Sequence, residues 1–235
     1  MNGSVKPVTF RWLILLLAAV AGITWLVPTL RQTQRNAELE RALEVGDATR
    51  VRRALARGAN PNLGAAPALP FIGSLASYPV LVWEARRGQV ATVEALLEGG
   101  ANPSYVDPKA RTPLSWACGQ GQVAVVRVLL RHGADPLDRG SWLPGPWQAA
   151  YWGHIPVLQE LLAGEFSVNQ RDRYGRTILM SAAAGGQDRT VRFLLGRGAN
   201  PRLRNARGET AADVARRCEH PVLARHLEEA MGTGG

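Results

Sequence analysis

The sequence has little of what chemistry on a substrate requires. Its 235 residues include two cysteines, Cys118 and Cys218, and four histidines, His132, His154, His220 and His226. His220 and His226 are six positions apart, which does not set them on one helical face in the i, i+4 manner of zinc ligands. No glycine-rich phosphate loop follows a strand pattern, no G-x-S-x-G occurs, and the carboxylates are scattered along helix-like stretches. These absences argue against a catalytic site, a metal site, a cofactor and a small-molecule substrate. Lysine is scarce as well: Lys6 and Lys109 stand alone, so the formal net charge of +9 rests on arginine. Such a balance fits an acidic protein partner, anionic lipid or nucleic acid. A bias of the whole chain toward Arg, Ala, Gly and Leu explains it equally well.

What is present falls into two parts. Residues 1–11 form a short tail, and residues 12–30 carry no charge at all. Nineteen such residues lie within the roughly 17–25 that cross a bilayer as a helix. Trp12 and Trp25 stand near the ends, where indole rings favour the headgroup region, and Pro28 marks a helix boundary. Cleavage of a signal peptide at Ala19-Val20-Ala21 would leave the apolar residues 23–30 as a new terminus. An uncleaved transmembrane anchor in contact with the lipid bilayer is therefore the expectation, followed by a polar linker over residues 31–36. Lys6 and Arg11 on one side and Arg31, Arg35 and Arg41 on the other give no clean orientation.

Residues 37–230 are periodic. Gly58-Ala59-Asn60-Pro61, Gly100-Ala101-Asn102-Pro103, Gly133-Ala134-Asp135-Pro136 and Gly198-Ala199-Asn200-Pro201 are four copies of one terminator, and residues 165–169 are a degraded fifth. A leucine-bearing pair precedes each. From Gly100 through Gly133 and Glu165 to Gly198 the intervals are 33, 32 and 33 residues. Within residues 110–136, Thr112 is placed to cap a first helix that Pro113 opens. Val125, Val126, Leu129 and Leu130 recur on one face of a second. Neither helix could bury its apolar stripe alone, so each unit depends on its neighbours.

Thr112-Pro113-Leu114, Gly153-His154 and Gly133-Ala134-Asp135 carry a resemblance to the ankyrin-repeat family. The resemblance implies an all-α solenoid of about six helix pairs with short β-hairpin-like finger turns, here preceded by one transmembrane helix. It also implies a protein-binding module or scaffold, presenting a concave surface to a protein partner. An immunity protein that neutralises a toxic enzyme is the alternative, and a nucleic-acid binder, suggested only by charge, sits badly with an anchor. The layout is similar to bacterial single-pass proteins, which implies an inner-membrane location with the repeats in the periplasm. Stacked as in that family, Cys118 and Cys218 stand too far apart for a disulfide.

Departures from the period mark candidate partner contacts. Gly58 and Gly100 are 42 residues apart, so about nine residues are inserted relative to the period. The insert, residues 63–78, brings Phe71 and Ile72 to a binding loop or to an apolar fold-back. Trp83 and Trp116 fall where the family usually has a core leucine, which suggests stacked core indoles over an exposed platform. Trp142, Trp147, Tyr151 and Trp152 concentrate aromatics in the fourth repeat, with Tyr151 and Trp152 at positions usually exposed. The finger turns supply Tyr105, Arg111, Arg171, Arg173, Tyr174, Arg202 and Arg204, a basic edge for an acidic partner surface. Residues 231–235 are expected to be a disordered tail.

Overall fold

The computed structural model describes residues 8–64, 79–139, 141, 143–164 and 166–232, with side chains from Val27 onward. Its contacts group into two compact units, Met1–Asn60 and Pro61–Gly235.

The first unit is a pair of helices, α1 (Val8–Val45) and α2 (Ala48–Ala56). Leu39, Ala42 and Leu43 of α1 pack on Val51 and Ala54 of α2, all five buried. Asp47 caps α2 by accepting a hydrogen bond from the Arg50 amide at 3.0 Å. One expectation is corrected here. The charge-free residues 12–30 are not a separate transmembrane element, because α1 runs through Pro28 and on through the charged residues that follow. Among the described residues no helix is long and apolar enough to cross a membrane. The expected linker, residues 31–36, is helical because side chains dock it onto the turn after α2. Gln32 donates to the Gly58 carbonyl at 3.1 Å, and Asn36 Oδ1 accepts from the Asn60 amide at 3.0 Å.

The second unit comprises five helix pairs. They are α3 (Val80–Arg87) with α4 (Val90–Glu98), α5 (Pro113–Gly119) with α6 (Val123–Arg131), and α7 (Gly145–Trp152) with α8 (Ile155–Ala163). α9 (Ile178–Ala184) with α10 (Asp188–Gly196), and α11 (Ala211–Arg217) with α12 (Pro221–Gly232), complete the row. The first helices of the pairs pack in file, α3 on α5, α5 on α7, α7 on α9 and α9 on α11, while α4, α6 and α8 line up behind them. Ala85, Ala117, Ala149, Ala150, Ala182, Ala183, Ala211, Ala212 and Ala215 are all buried in that file of first helices. Their small side chains let neighbouring backbones approach closely. Leu96, Val126, Leu129, Leu158, Leu161 and Leu194 fill the space between layers. Thr112 caps α5 through its side-chain oxygen, as its sequence position predicts, and Thr177 and Thr210 cap α9 and α11 in the same way.

Two devices repeat along the file. The residue after each left-handed turn position covers the turn glycine of the pair before it: a Cβ on Gly121 would stand 2.9 Å from His154 Nδ1, after Gly153, and one on Gly186 2.6 Å from His220, after Glu219. His154 also pairs its Nε2 with the Gly119 carbonyl at 3.0 Å. The terminators are laced in the same way. Asn62 Oδ1 accepts from the Asn102 amide at 2.7 Å, and Asn169 Oδ1 from the Asn200 amide at 2.8 Å. Asn169 further donates to the Gly198 carbonyl at 3.1 Å. The degraded fifth terminator thus keeps the one side chain that reaches the next pair.

The finger turns differ from the β-hairpin-like form expected. Among the described residues there is no strand, and one isolated antiparallel bridge, Gly64 with Pro79, pins the two ends of the insert together. Three fingers close by backbone bonds, the amides of Asp107, Asp172 and Asn205 donating to the carbonyls of Arg111, Arg176 and Glu209 at 2.8, 3.0 and 3.0 Å, and by a side chain at the base. Asp107 accepts from the amides of Lys109 and Arg111 at 2.8 and 2.9 Å, and Asp172 from those of Tyr174 and Arg176 at 2.9 and 2.8 Å. Asn205 does the same for Arg207 and Glu209. A side-chain oxygen satisfies the amides that a strand ladder would otherwise pair.

Candidate functional site

The first-helix side of the second unit carries a groove of about 430 Å³ across α7, α9 and α11. Its floor includes Met180 and Val214; Tyr151 and Trp152 stand at one side, and Arg111, Arg176 and Arg217 are its charged residues. The aromatic pair is held by the backbone. A Cβ on Gly185 of the α9 terminus would lie 2.0 Å from the Tyr151 carbonyl oxygen, so only glycine lets the end of α7 approach this closely. The two rings meet edge to face with centroids 5.1 Å apart, and Trp152 keeps 57% of its surface exposed.

The groove arginines are braced from behind. Arg111 Nε donates to Asp107 Oδ2 at 3.2 Å, Arg176 Nε to Asp172 Oδ2 at 2.7 Å, and Arg217 Nε to Glu209 Oε1 at 2.8 Å. Asp107 and Asp172 show 0% and 2% of their side-chain surface. Asp107 and Asp172 are therefore buried, Glu209 keeps 19% of its side-chain surface exposed, and the three arginines line the groove. Arg176 also lies over the Tyr174 ring at 5.0 Å. Its Nη2 is buried and has no acceptor among the described residues. Arg217 holds Glu209 below the usual carboxylate range, second to the amide of Asn205 as a cause.

At the other end of the file, Trp83 and Trp116 are half-buried rather than stacked in the core. Arg86 lies over both rings, at 5.7 and 4.7 Å, and Arg111 lies 3.6 Å over Trp116. Trp116 Nε1 donates to Asp107 Oδ2 at 3.0 Å. Guanidinium faces and a carboxylate, not a second indole, are their partners, because an indole N–H needs an acceptor.

The expected contacts divide. Tyr105, Tyr151, Trp152 and Tyr174 are exposed. Arg171, Arg173, Arg202 and Arg204 are exposed too, but each guanidinium is tied to a backbone carbonyl: Arg171 to Arg204, Arg173 to Ser141, Arg202 to Met231 and Arg204 to Gly208. They brace fingers as much as they offer charge. Trp147 is a core residue, its Nε1 donating to the Arg176 carbonyl at 2.9 Å and its ring edge to face with Phe166 at 5.6 Å. Phe71, Ile72 and Trp142, and the side chains of Trp12 and Trp25, lie outside the described residues. Sequence reasoning passed over Arg217 and Met180. The signal for Arg176 was the Asp-x-x-x-Arg spacing shared by residues 107–111 and 172–176.

Among the described residues, the turn between α6 and α7 has no arginine paired with its Asp138. Asp138 is buried, with 2% exposure and a left-handed φ of 49°. It accepts from the Gly145 amide at 3.1 Å and from the Thr112 hydroxyl. Burial pushes its pKa up to about 6 against those two hydrogen bonds, with Asp135 adding to the rise. Burial also raises the Cys118 thiol, with the Asp138 carboxylate second, so that thiol is inert packing rather than a nucleophile. Glu84 is raised by burial, partly relieved by the Thr92 hydroxyl at 2.8 Å and by Arg87. No group of three or more potential metal ligands occurs among the described residues.

Comparison with known proteins agrees with this architecture. Residues 39–140 match the family described as ankyrin repeats (3 copies), and residues 149–215 match ankyrin repeats (many copies). The chain is similar to human Palmitoyltransferase ZDHHC17, 41% identical over 167 residues, which cover 69% of this chain and 26% of that protein. The zebrafish counterpart is 40% identical over 167 residues, covering 69% of this chain and 27% of the relative. Human SH3 and multiple ankyrin repeat domains protein 2 is 31% identical over 145 residues, covering 60% of this chain and 8% of the relative. The chain thus spans about a quarter of the length of the palmitoyltransferases it matches. These relatives are eukaryotic, and no described helix could cross a membrane. The expectation of a single-pass protein of a bacterial inner membrane with periplasmic repeats is therefore corrected. The matched segments and the file of capped helix pairs have one reading: the chain belongs to the ankyrin-repeat family.

Proposed function

We propose that this ankyrin-repeat chain is a protein-recognition module that holds its partner in the groove across α7, α9 and α11. The observation that carries the reading is the Tyr151–Trp152 pair, two large aromatics left exposed by a backbone contact that only Gly185 permits. Exposed aromatics beside arginines are the composition of binding hot spots. The fold supplies rigidity, so little ordering entropy is spent when a partner docks. The reading concerns binding alone; the activity in the palmitoyltransferases' name belongs to proteins of which the matched segment is about a quarter.

A displayed random-peptide library, selected on the full chain, tests the proposal. Ligands selected on the native chain should lose at least about tenfold in affinity when Tyr151 and Trp152 are both changed to Ala, since two hot-spot truncations each cost about 1–2 kcal/mol or more. Unfolding should stay nearly unchanged. Retention of every selected ligand by the double variant would overturn it.

A further inference from the structure

The groove has one sign of charge among its lining side chains. Arg111, Arg176 and Arg217 line it, and no carboxylate does. Their bracing anions Asp107 and Asp172 are buried beneath. Bracing fixes each guanidinium in place, which lowers the entropy lost when it meets a ligand. Arg176 is the extreme case: Nε is committed to Asp172 and one face to Tyr174, while Nη2 has no acceptor among the described residues. The arginines of the finger tips lack this feature, since backbone carbonyls already engage them.

From these features, and resting on the binding role proposed above, we infer that the groove takes an extended acidic peptide. One carboxylate sits on Arg176 and Arg217, and one apolar side chain sits against Tyr151, Trp152 and Met180. The carboxylate supplies the paired acceptor that a guanidinium fork matches. The apolar neighbour covers the rings and strips water from the ion pair, which strengthens it.

The test uses two matched sets of fluorescein-labelled octapeptides on the full chain, read by fluorescence anisotropy. One set carries Leu and Glu at separations of one to four residues; the other carries Gln in place of Glu. The best Glu peptide should bind about tenfold or more tighter than its Gln counterpart, and added salt should narrow that gap. Arg176→Gln should erase the preference, and Arg217→Gln, which leaves the Asp172 finger intact, should reduce it. Equal binding of Glu and Gln peptides, still lost in the Tyr151→Ala/Trp152→Ala variant, would overturn the acidic inference and leave the groove standing. Binding that ignores both the arginine and the aromatic variants would overturn the two together.

Discussion

Asp138→Asn isolates one buried carboxylate. In the folded chain the pKa of Asp138 is raised from the ordinary 3.8 to about 6. A raised acid holds its proton longer when folded than when unfolded. Its contribution is therefore full below about pH 4 and is lost as pH rises through about 6. A gap of about two pKa units corresponds to about 3 kcal/mol. Asparagine cannot titrate, can still accept from the Gly145 amide, and tolerates the left-handed backbone at this position. Urea unfolding of both proteins, followed by circular dichroism between about pH 4 and pH 8, gives the difference in stability at each pH. The other shifted carboxylates, Glu40, Glu84, Glu160, Asp188, Glu209 and Asp213, titrate in both proteins and cancel in that difference. The variant should gain about 3 kcal/mol on wild type across that range, most of it between pH 4 and 6. A difference that does not change with pH would refute the claim that Asp138 is buried without a cation.

Other perturbations follow from single contacts. Asn169→Ala removes bonds to Asn200 and Gly198 and should cost about 1–2 kcal/mol in urea unfolding, with faster amide exchange at Asn200. Gly185→Ala places a Cβ against the Tyr151 carbonyl; it should cost about 1–3 kcal/mol and shift the Tyr151 and Trp152 resonances. Trp147→Phe keeps most of the ring but loses the bond to the Arg176 carbonyl, and about 1–3 kcal/mol of stability with it.

The repeat was legible because its signals are local and redundant. Thr112 before Pro113, and glycine after a paired-leucine stripe, each fix one end of a helix without reference to distant residues. The first helix misled for the opposite reason. Its charge-free half was read as complete in itself, yet α1 continues because Gln32, Asn36 and Leu39 find partners beyond the helix, and no local pattern announces those. The finger arginines were read as a free basic edge because a sequence shows charge and not the carbonyls of Arg204, Gly208 and Met231 that absorb it. Tyr151 and Trp152 were read as exposed because the ankyrin resemblance puts them at positions that the family usually leaves exposed. Trp116 was read as core because the ankyrin resemblance puts a core leucine at its position, while its Asp107 acceptor lies nine residues upstream in the finger.

Hydrogen exchange of the full chain, with and without a library-selected peptide, tests the central claim most directly. Binding in the groove predicts new protection on α7, α9 and α11 around Tyr151, Trp152, Arg176 and Arg217. Protection confined to α4, α6 and α8, with those first helices unchanged, would contradict it.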